Sequence, residues 1–283
     1  MVYKVISCIL ATYGRYDEPL LFVKSLVGQN MSKDLFELIV VDQNKDSALF
    51  DAVQGFVGDI NIKYIRSSVT GLSRNRNIGL LQASGDYVCF PDDDCLYYPD
   101  TLSKVYEKFK CTDCSMVLGR IYDRVLRQPV IKRWPDRENI ITKWNFQRYS
   151  SSITIFARRR DVLFSENLGA GTFNGSCEDL DFIYRYVVGA GGICYFPEIE
   201  VWHPAQDISE ISSAKVSSYG RGFGKFCSFH RRDLAILSLF ALAVAYHASQ
   251  ALLQMVLFNP ENSKKRLLAM GSRISAFFSK TDF

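Results

Sequence analysis

The chain has 283 residues, of which 48% are hydrophobic, 23% charged and 13% aromatic, and its formal net charge is +4. This composition excludes collagen-like, low-complexity and wholly disordered chains, and the length is ample for an α/β core with an appended segment. The eight cysteines are scattered, and the single Cys111-x-x-Cys114 pair lacks the second pair of a zinc site. Because the first residues lead straight into an apolar run without a signal peptide, we expect reduced thiols in the cytosol.

The first 205 residues alternate between short apolar runs and segments with helical spacing. Predicted strands cover residues 5–11, 36–41, 60–65 and 87–90, and predicted helices cover residues 17–29, 47–57 and 71–83. This alternation predicts an α/β fold with a mostly parallel central sheet and crossover helices. The alternation of strands and helices is absent from residues 123–145, which contain Arg, Lys, Pro and two Trp residues. This composition predicts a long loop. We expect a catalytic domain over residues 1–205 and a helical extension over residues 206–283.

Polar side chains follow three of the predicted strands. Thr12 and Tyr13 come after the first strand, Asp42 after the second, and the run Asp92-Asp93-Asp94 after the fourth. Each alone is typical of a turn at a strand end. Because ligands of open α/β sheets bind beyond the carboxyl ends of the strands, the three together favour a nucleotide site.

The three adjacent aspartates at residues 92–94 repel one another unless a cation lies among them. A solvated acidic turn is the usual interpretation of such a run, but this one stands between a buried strand and an apolar segment. Carboxylate oxygens suit Mg²⁺ or Mn²⁺. The chain has neither the Walker phosphate loop nor a dinucleotide-binding glycine turn after the first strand, which argues against kinases, ATPases and dinucleotide enzymes.

Three further groups each allow two interpretations. His203 follows a predicted strand and is either a structural hydrogen-bonding residue or a ligand of Mn²⁺. Glu178 and Asp179 open a predicted helix. They either stabilise the helix N-terminus, where acidic residues are favoured, or supply a carboxylate base beside the glycine-rich residues 169–175. Arg76 is either solvated or neutralises a diphosphate at a helix N-terminus.

The net positive charge of the chain comes from its C-terminal part. Residues 206–283 contain ten Lys and Arg against five Asp and Glu, and residues 234–258 contain no charged side chain. His247, Gln250 and Gln254 recur there at helical spacing, which favours an interfacial or re-entrant helix on an anionic membrane surface over a clean span. The alternative is a helix packed on the catalytic domain or on a second copy of the chain.

Several short motifs occur in a recognisable order: Thr12-Tyr13-x-Arg15, Val41-Asp42, Arg76-Asn77-x-Gly79, Gly85-Asp86-Tyr87, Asp92-x-Asp94, Glu178-Asp179 and Trp202-His203. In order and spacing they resemble a family 2 glycosyltransferase with the GT-A fold, over roughly residues 5–204. Residues 149–171 are similar to bacterial enzymes that build O-antigen or capsule units.

The resemblance implies a donor site for a nucleotide-sugar. It places Thr12, Tyr13 and Asp42 against the nucleobase, Arg76 near the base or the diphosphate, and Arg15 in the same donor site. UDP-hexoses and UDP-N-acetylhexosamines are the first candidates for the donor, and dTDP-rhamnose is the next.

The resemblance also implies the metal and catalytic groups. Asp92 faces the ribose with Asp93 beside it, Asp94 and His203 ligate Mn²⁺ or Mg²⁺, and Asp179 is the catalytic base. The cluster is Asp-Asp-Asp, so the division of roles among its members stays open. The Gln-x-x-Arg-Trp signature of processive synthases is missing, which predicts transfer of one sugar per encounter.

From the resemblance we expect an inverting hexosyl- or N-acetylhexosaminyltransferase of surface polysaccharide biosynthesis. Its acceptor would be a polyprenyl-diphosphate-linked oligosaccharide at the cytoplasmic face of the inner membrane, where the protein is peripheral or monotopic; no nucleic-acid partner is expected. The alternatives are a metal-dependent nucleotidyltransferase and a non-catalytic module that binds a membrane surface.

Overall fold

The computed structural model describes residues 5–189, 191–205 and 211–279. The chain divides into two compact units, residues 1–163 with 182–206 and residues 164–181 with 207–283. Residues 164–181 therefore group with the C-terminal part of the chain. The division into domains 1–205 and 206–283 stays a prediction, and residues 206–210 at its boundary lie outside the described residues. Residues 1–4, on which the absence of a signal peptide was argued, lie outside them too.

The first unit is built on one mixed sheet. Its strands, in the described part of the chain, are β1 (Ile6–Thr12), β2 (Phe36–Asp42), β3 (Asn61–Arg66), β4 (Tyr87–Cys89), β5 (Leu96–Tyr97), β6 (Met116–Asp123), β7 (Gln128–Pro129), β8 (Asn139–Ile141), β9 (Ile155–Arg158) and β10 (Ile193–Trp202). The order across the sheet is β3-β2-β1-β4-β9-β6-β10-β5, with β7 paired to β6 and β8 to β10. The first four strands are parallel, whereas β9 runs antiparallel to both its neighbours.

Eight helices are described. They are α1 (Asp17–Val27), α2 (Ala48–Gln54), α3 (Leu72–Gln82), α4 (Thr101–Cys111), α5 (Glu178–Val188), α6 (Ser213–Phe229), α7 (Leu234–Val256) and α8 (Pro260–Phe278). The predicted strands and helices of the first 90 residues are all present, with ends that differ by at most three residues. Residues 123–145 form the predicted long excursion, which also contains the short strands β7 and β8.

The two central strands explain why polar residues collect at one edge of the sheet. All seven residues of β1 and all seven of β2 are buried, so both strands are sequestered on both faces. Their parallel register puts Thr12 beside Asp42, and Asp42 in turn beside Arg66 at the end of β3. The apolar runs end together here, and the polar residues that follow them share one edge.

Helix α3 lies unusually close to the sheet. A Cβ atom at Gly79 would overlap the side chain of Ile9 and lie 3.3 Å from a methyl carbon of Val41. This close approach buries Arg76, one turn earlier on the same helix, completely. A buried arginine requires anionic partners, and the neighbouring acidic strand end supplies one of them.

The expectation of uniformly reduced cysteines is wrong for one pair. Cys114 and Cys194 form a disulfide, with Cα atoms 6.2 Å apart. Cys114 precedes β6 and Cys194 lies on β10, and these neighbouring strands pair in parallel. The two residues are 80 positions apart in the chain, so their spacing carried no signal. The other six cysteines are free.

The described part of the C-terminal unit is a helical hairpin with a third helix against it. Each helix begins at a side-chain cap: Ser212 for α6, Asp233 for α7 and Asn259 for α8, where Pro260 takes the first helical position. Helices α6 and α8 approach closely because α6 presents glycines. A Cβ at Gly224 would overlap the carbonyl oxygen of Arg273.

We expect Gly224→Ala to destabilise the C-terminal unit by about 1–3 kcal/mol, because its methyl group would also lie 3.0 Å from the Cβ of Ala276 and force the helices apart. Gly271→Ala on α8 is the matched control, since a Cβ there meets nothing within 4 Å. Its expected effect is a stabilisation of up to about 1 kcal/mol from helix propensity. Urea unfolding of the full chain, followed by circular dichroism, measures both. Equal effects of the two substitutions would contradict the close packing.

Helix α7 is the one helix of the described residues long and apolar enough to cross a membrane by length and composition. Only 11% of its most apolar window is buried within the structure. Leu242 and Leu252 on the helix and Phe258 just after it are largely exposed. Exposed apolar faces of this extent are typical of surfaces that contact another protein or a membrane.

Candidate active site

Two aspartates of the acidic run and one histidine lie close together at the end of the sheet. Asp92 and Asp94 follow β4, and His203 follows β10. One ligand atom from each lies within 4.8 Å of the others. The two strands are separated in the sheet by β9 and β6, so this meeting depends on the strand order.

His203 is held in an orientation that suits a ligand. The ring is buried, its Nδ1 donates to the carbonyl oxygen of Pro204 at 2.7 Å, and its Nε2 lies 3.2 Å from Oδ1 of Asp94. Burial lowers the pKa of His203, but the contacts with Asp94 and the Pro204 carbonyl raise it above its ordinary value. Burial raises the pKa of Asp94, but hydrogen bonds from His203 and Arg15 outweigh this effect and bring it down to about 2. An ionised carboxylate therefore faces the imidazole.

This donor set fits a divalent cation. Two carboxylates supply hard oxygen ligands, and the imidazole Nε2 faces them while a backbone carbonyl orients the ring from the other side. Imidazole is accepted by Mn²⁺ more readily than by Mg²⁺. Asp92, assigned to the ribose by the resemblance, thus lies beside Asp94 and His203, the two residues expected to bind the metal.

Two arginines balance the charge of the acidic run. Nη2 of Arg76 lies 2.6 Å from Oδ1 of Asp92, and the Arg76 side chain is only 1% exposed. Nη1 of Arg15 lies 2.8 Å from Oδ1 of Asp93 and 2.6 Å from Oδ2 of Asp94. Burial raises the pKa of Asp93, although contacts with Thr12 and Arg15 oppose this shift.

Thr12 contacts the acidic run rather than the open edge of the sheet. Its hydroxyl donates to Oδ2 of Asp93 at 2.7 Å, and the side chain is buried. The hydroxyl of Ser152 also lies within hydrogen-bonding distance of Asp92, at 3.4 Å from Oδ2. Thr12 and Ser152 therefore help to orient the carboxylates. Ser152 lies in the segment 149–171 noted for its resemblance, but the sequence assigned it no role.

Asp42 forms a second hydrogen-bonded polar group at the same edge. It is fully buried; its Oδ1 accepts from the backbone N–H of Asn44 at 2.8 Å and its Oδ2 from the Tyr64 hydroxyl at 2.5 Å. Burial and the contact with Asp42 raise the pKa of Tyr64, so its hydroxyl remains a donor. Tyr13 is 66% exposed beside this edge, where its ring is open to stacking. Sequence reasoning missed Tyr64, whose signal was its place near the end of a predicted strand.

Asp179 lies in the second unit, in the first turn of α5, and is half-buried. Its Oδ1 accepts from the N–H of Leu180 at 2.7 Å. The loop before it is closed by Asn174, whose amide donates to the Asn167 carbonyl at 3.0 Å, and Cys177 has a φ of 69°. A left-handed non-glycine residue held this way is common near functional groups. The structure thus presents Asp179 from a constrained loop.

Comparisons with known proteins identify the family of this chain. The family model described as Glycosyl transferase family 2 matches residues 7–166. The chain is 24% identical over 219 residues to the poly(ribitol-phosphate) beta-N-acetylglucosaminyltransferase TarP of Staphylococcus aureus, covering 76% of this chain and 67% of that protein. It is 24% identical over 245 residues to the putative colanic acid biosynthesis glycosyl transferase WcaA of Escherichia coli, covering 81% of each.

A solved structure shows the same fold. The mannosyltransferase PcManGT of Pyrobaculum calidifontis, in complex with GDP-Man and Mn²⁺, superposes with a TM-score of 0.65 at 15% identity. The match covers 98% of this chain and 88% of that one. At this identity the likeness is one of fold.

Proposed function

Because the chain belongs to glycosyl transferase family 2, we propose that it transfers a single sugar, with inversion, from a UDP-linked donor to a hydroxyl of a lipid-linked oligosaccharide. The protein is a glycosyltransferase with an α/β fold similar to that of GT-A enzymes, as the sequence predicted, and its sheet is mixed rather than mostly parallel. In this proposal the reaction belongs to the biosynthesis of a surface polysaccharide, and the support is the similarity to WcaA, a putative glycosyl transferase of colanic acid biosynthesis.

One observation carries the proposal. Asp92, Asp94 and His203 bring ligand atoms within 4.8 Å of one another at the edge where Asp42 and Tyr13 also lie. A cation site beside a pocket for a planar base is the arrangement that a nucleoside diphosphate requires. A pyrophosphate-releasing nucleotidyltransferase would be expected to have a glycine-rich, basic loop after β1, whereas this chain has Ala11-Thr12-Tyr13-Gly14-Arg15 at the end of that strand, with a single glycine and a single basic residue.

The residues of the first unit bind the donor in this proposal. Asp92, Asp94 and His203 would hold Mn²⁺ or Mg²⁺, which when bound supplies positive charge to the leaving diphosphate. Arg76, buried and fixed, adds a second positive charge near the same position. Asp42, oriented by Tyr64, accepts a hydrogen bond from the base, and Tyr13 stacks on it.

Asp179 acts as the base on the acceptor. Its carboxylate takes the proton of the acceptor hydroxyl while that oxygen attacks the anomeric carbon from the face opposite the nucleotide. A single displacement of this kind inverts the configuration at that carbon.

The donor and acceptor are tested directly. UDP- and GDP-linked sugars are incubated with the full chain and Mn²⁺, with polyprenyl-diphosphate oligosaccharides as acceptors. Release of free nucleoside diphosphate together with a product longer by one inverted sugar is expected, with UDP-N-acetylglucosamine the first donor to try because TarP is named for that sugar. Pyrophosphate release, or no turnover with any donor, would refute the proposal.

Tyr64→Phe is expected to raise the KM for the donor about tenfold with little change in kcat, because buried Asp42 loses one of its hydrogen bonds. Tyr16→Phe is the matched control, since its hydroxyl also donates to an aspartate, Asp46, but at an exposed position. Steady-state kinetics with varied donor concentration measure both variants. An unchanged KM in Tyr64→Phe would remove Asp42 and Tyr64 from the donor pocket.

We place the protein at the cytoplasmic face of the inner membrane, attached through the C-terminal unit. The support is the exposed apolar face of α7, continued by Phe258, which is 94% exposed. Lys264 and Lys265 follow on α8 and suit an anionic headgroup layer. A lipid-linked acceptor would be found at the same surface.

Reversing the charge of Lys264 and Lys265 to Glu in the full chain is expected to weaken binding to vesicles containing phosphatidylglycerol by about tenfold or more. The control reverses Lys24 and Lys45, two exposed lysines of the first unit. Vesicle flotation, with pure phosphatidylcholine as the neutral reference, gives the comparison. Equal loss in the two double variants would mean that only net charge matters and that α8 does not face the lipid.

A further inference from the structure

Arg15 forms an ion pair with Asp94, a carboxylate that the proposed metal site needs. We propose that Arg15 holds Asp94 while no cation is bound and yields it when a nucleoside diphosphate arrives, so that the cation and the nucleotide bind cooperatively. This inference rests on the metal-dependent donor binding proposed above.

The contacts of Asp94 define the competition. Its Oδ1 lies 3.2 Å from Nε2 of His203 and its Oδ2 lies 2.6 Å from Nη1 of Arg15. The same guanidinium nitrogen is 2.8 Å from Oδ1 of Asp93. A cation ligated by Asp94 would stand within a few ångströms of this guanidinium, where like charges repel strongly. The cation and Arg15 therefore compete for one carboxylate.

The two arginines of the site differ in their freedom to move. The Arg76 side chain is 1% exposed inside the fold, whereas the Arg15 side chain is 39% exposed. The backbone around Arg15 is anchored, because the amide of Asn44 donates to its carbonyl at 3.1 Å and accepts from the N–H of Gly14 at 2.7 Å. Movement is therefore available to the long side chain of Arg15 without a change of the loop.

The charges explain why the nucleotide would be needed. Two arginines face the three aspartates at residues 92–94, so most of the negative charge of this run is already neutralised. A cation alone must displace Arg15 from Asp94, so that Arg15 loses one of its two ion pairs and keeps only the one with Asp93. A diphosphate brought in with the cation offers the guanidinium a new anion, to which it binds well in a forked geometry. The positioning role of Arg15 is therefore to couple the two ligands.

The test is Mn²⁺ binding, measured by electron paramagnetic resonance on the full chain with and without UDP. Arg15→Met is expected to bind Mn²⁺ alone about tenfold more tightly than the wild type, because no charged hydrogen bond has to be broken. Adding UDP should then raise the Mn²⁺ affinity of Arg15→Met less than it raises that of the wild type. Arg15→Lys, with its single charge but no fork, should lie between them and serves if Arg15→Met does not fold.

Lys45→Met is the control, since it removes one positive charge from an exposed residue that follows β2 at the same edge. It should leave Mn²⁺ affinity within about twofold, as expected for a screened surface charge. Two results would overturn the inference. One is an Arg15→Met protein that binds Mn²⁺ no more tightly than the wild type, and the other is an Arg15→Met protein whose Mn²⁺ affinity rises on addition of UDP as much as that of the wild type. The assay contains no acceptor, so a failure of sugar transfer would not affect it, whereas no Mn²⁺ binding by any variant with UDP would refute the metal-dependent function itself.

Discussion

Replacing Asp94 with asparagine is expected to lower the rate of sugar transfer by at least about a hundredfold and to abolish Mn²⁺ binding in the presence of UDP. The amide keeps the size of the side chain but removes the charge that both His203 and Arg15 face. Transfer rates at saturating donor and Mn²⁺ titrations by electron paramagnetic resonance measure the two effects separately.

Asp113→Asn is the control for the Asp94 variant. Asp113 is exposed in the loop before β6, and its substitution makes the same change of charge away from the site. Transfer by Asp113→Asn should equal that of the wild type. If Asp94→Asn bound Mn²⁺ with wild-type affinity, Asp94 would not be a ligand and the assignment of the cation site would fall.

The second large effect is expected for Asp179→Asn, which should lower kcat by about 10²- to 10⁴-fold while leaving the affinity for UDP and Mn²⁺ unchanged. The amide cannot accept the proton of the acceptor hydroxyl. Its oxygen still accepts the hydrogen bond from the N–H of Leu180, so the first turn of α5 should persist. Single-turnover transfer and UDP binding are the two measurements.

Glu261→Gln provides the comparison for Asp179. Glu261 also stands in the first turn of a helix, α8, so its substitution reports the loss of a carboxylate at a helix N-terminus without loss of a base. It should leave kcat unchanged. Wild-type transfer by Asp179→Asn would show that the proton leaves by another route, and a parallel loss of UDP binding would mean that Asp179 supports the donor site.

The parallel half of the sheet was predictable because its signals are local. Continuous apolar runs with helical segments between them are typical of parallel strands joined by crossover helices, and β1 to β4 have this arrangement. The polar residues after these runs, Thr12, Asp42 and Asp92–Asp94, had to share an edge once the strands were parallel.

The second half of the first unit was not predictable in the same way. The antiparallel strand β9 enters between β4 and β6, and its pairing depends on residues far apart in the chain. The same is true of the disulfide between Cys114 and Cys194 and of the grouping of residues 164–181 with the C-terminal unit. Long-range pairings of this kind leave no periodic mark on a sequence.

The sequence by itself determined the chemistry available to this protein: an acidic run after a buried strand, a histidine after another, buried strands that end in polar residues, and a basic, apolar tail. Only the tertiary structure decided which of these groups act on each other. It placed the hydroxyl of Tyr64 on Asp42 and brought His203 from β10 to Asp94. It also put the guanidinium of Arg15 on Asp94. Residue type sets what a side chain can donate, accept or ligate, whereas distance between side chains is set by strand order and helix packing, which the whole chain decides together.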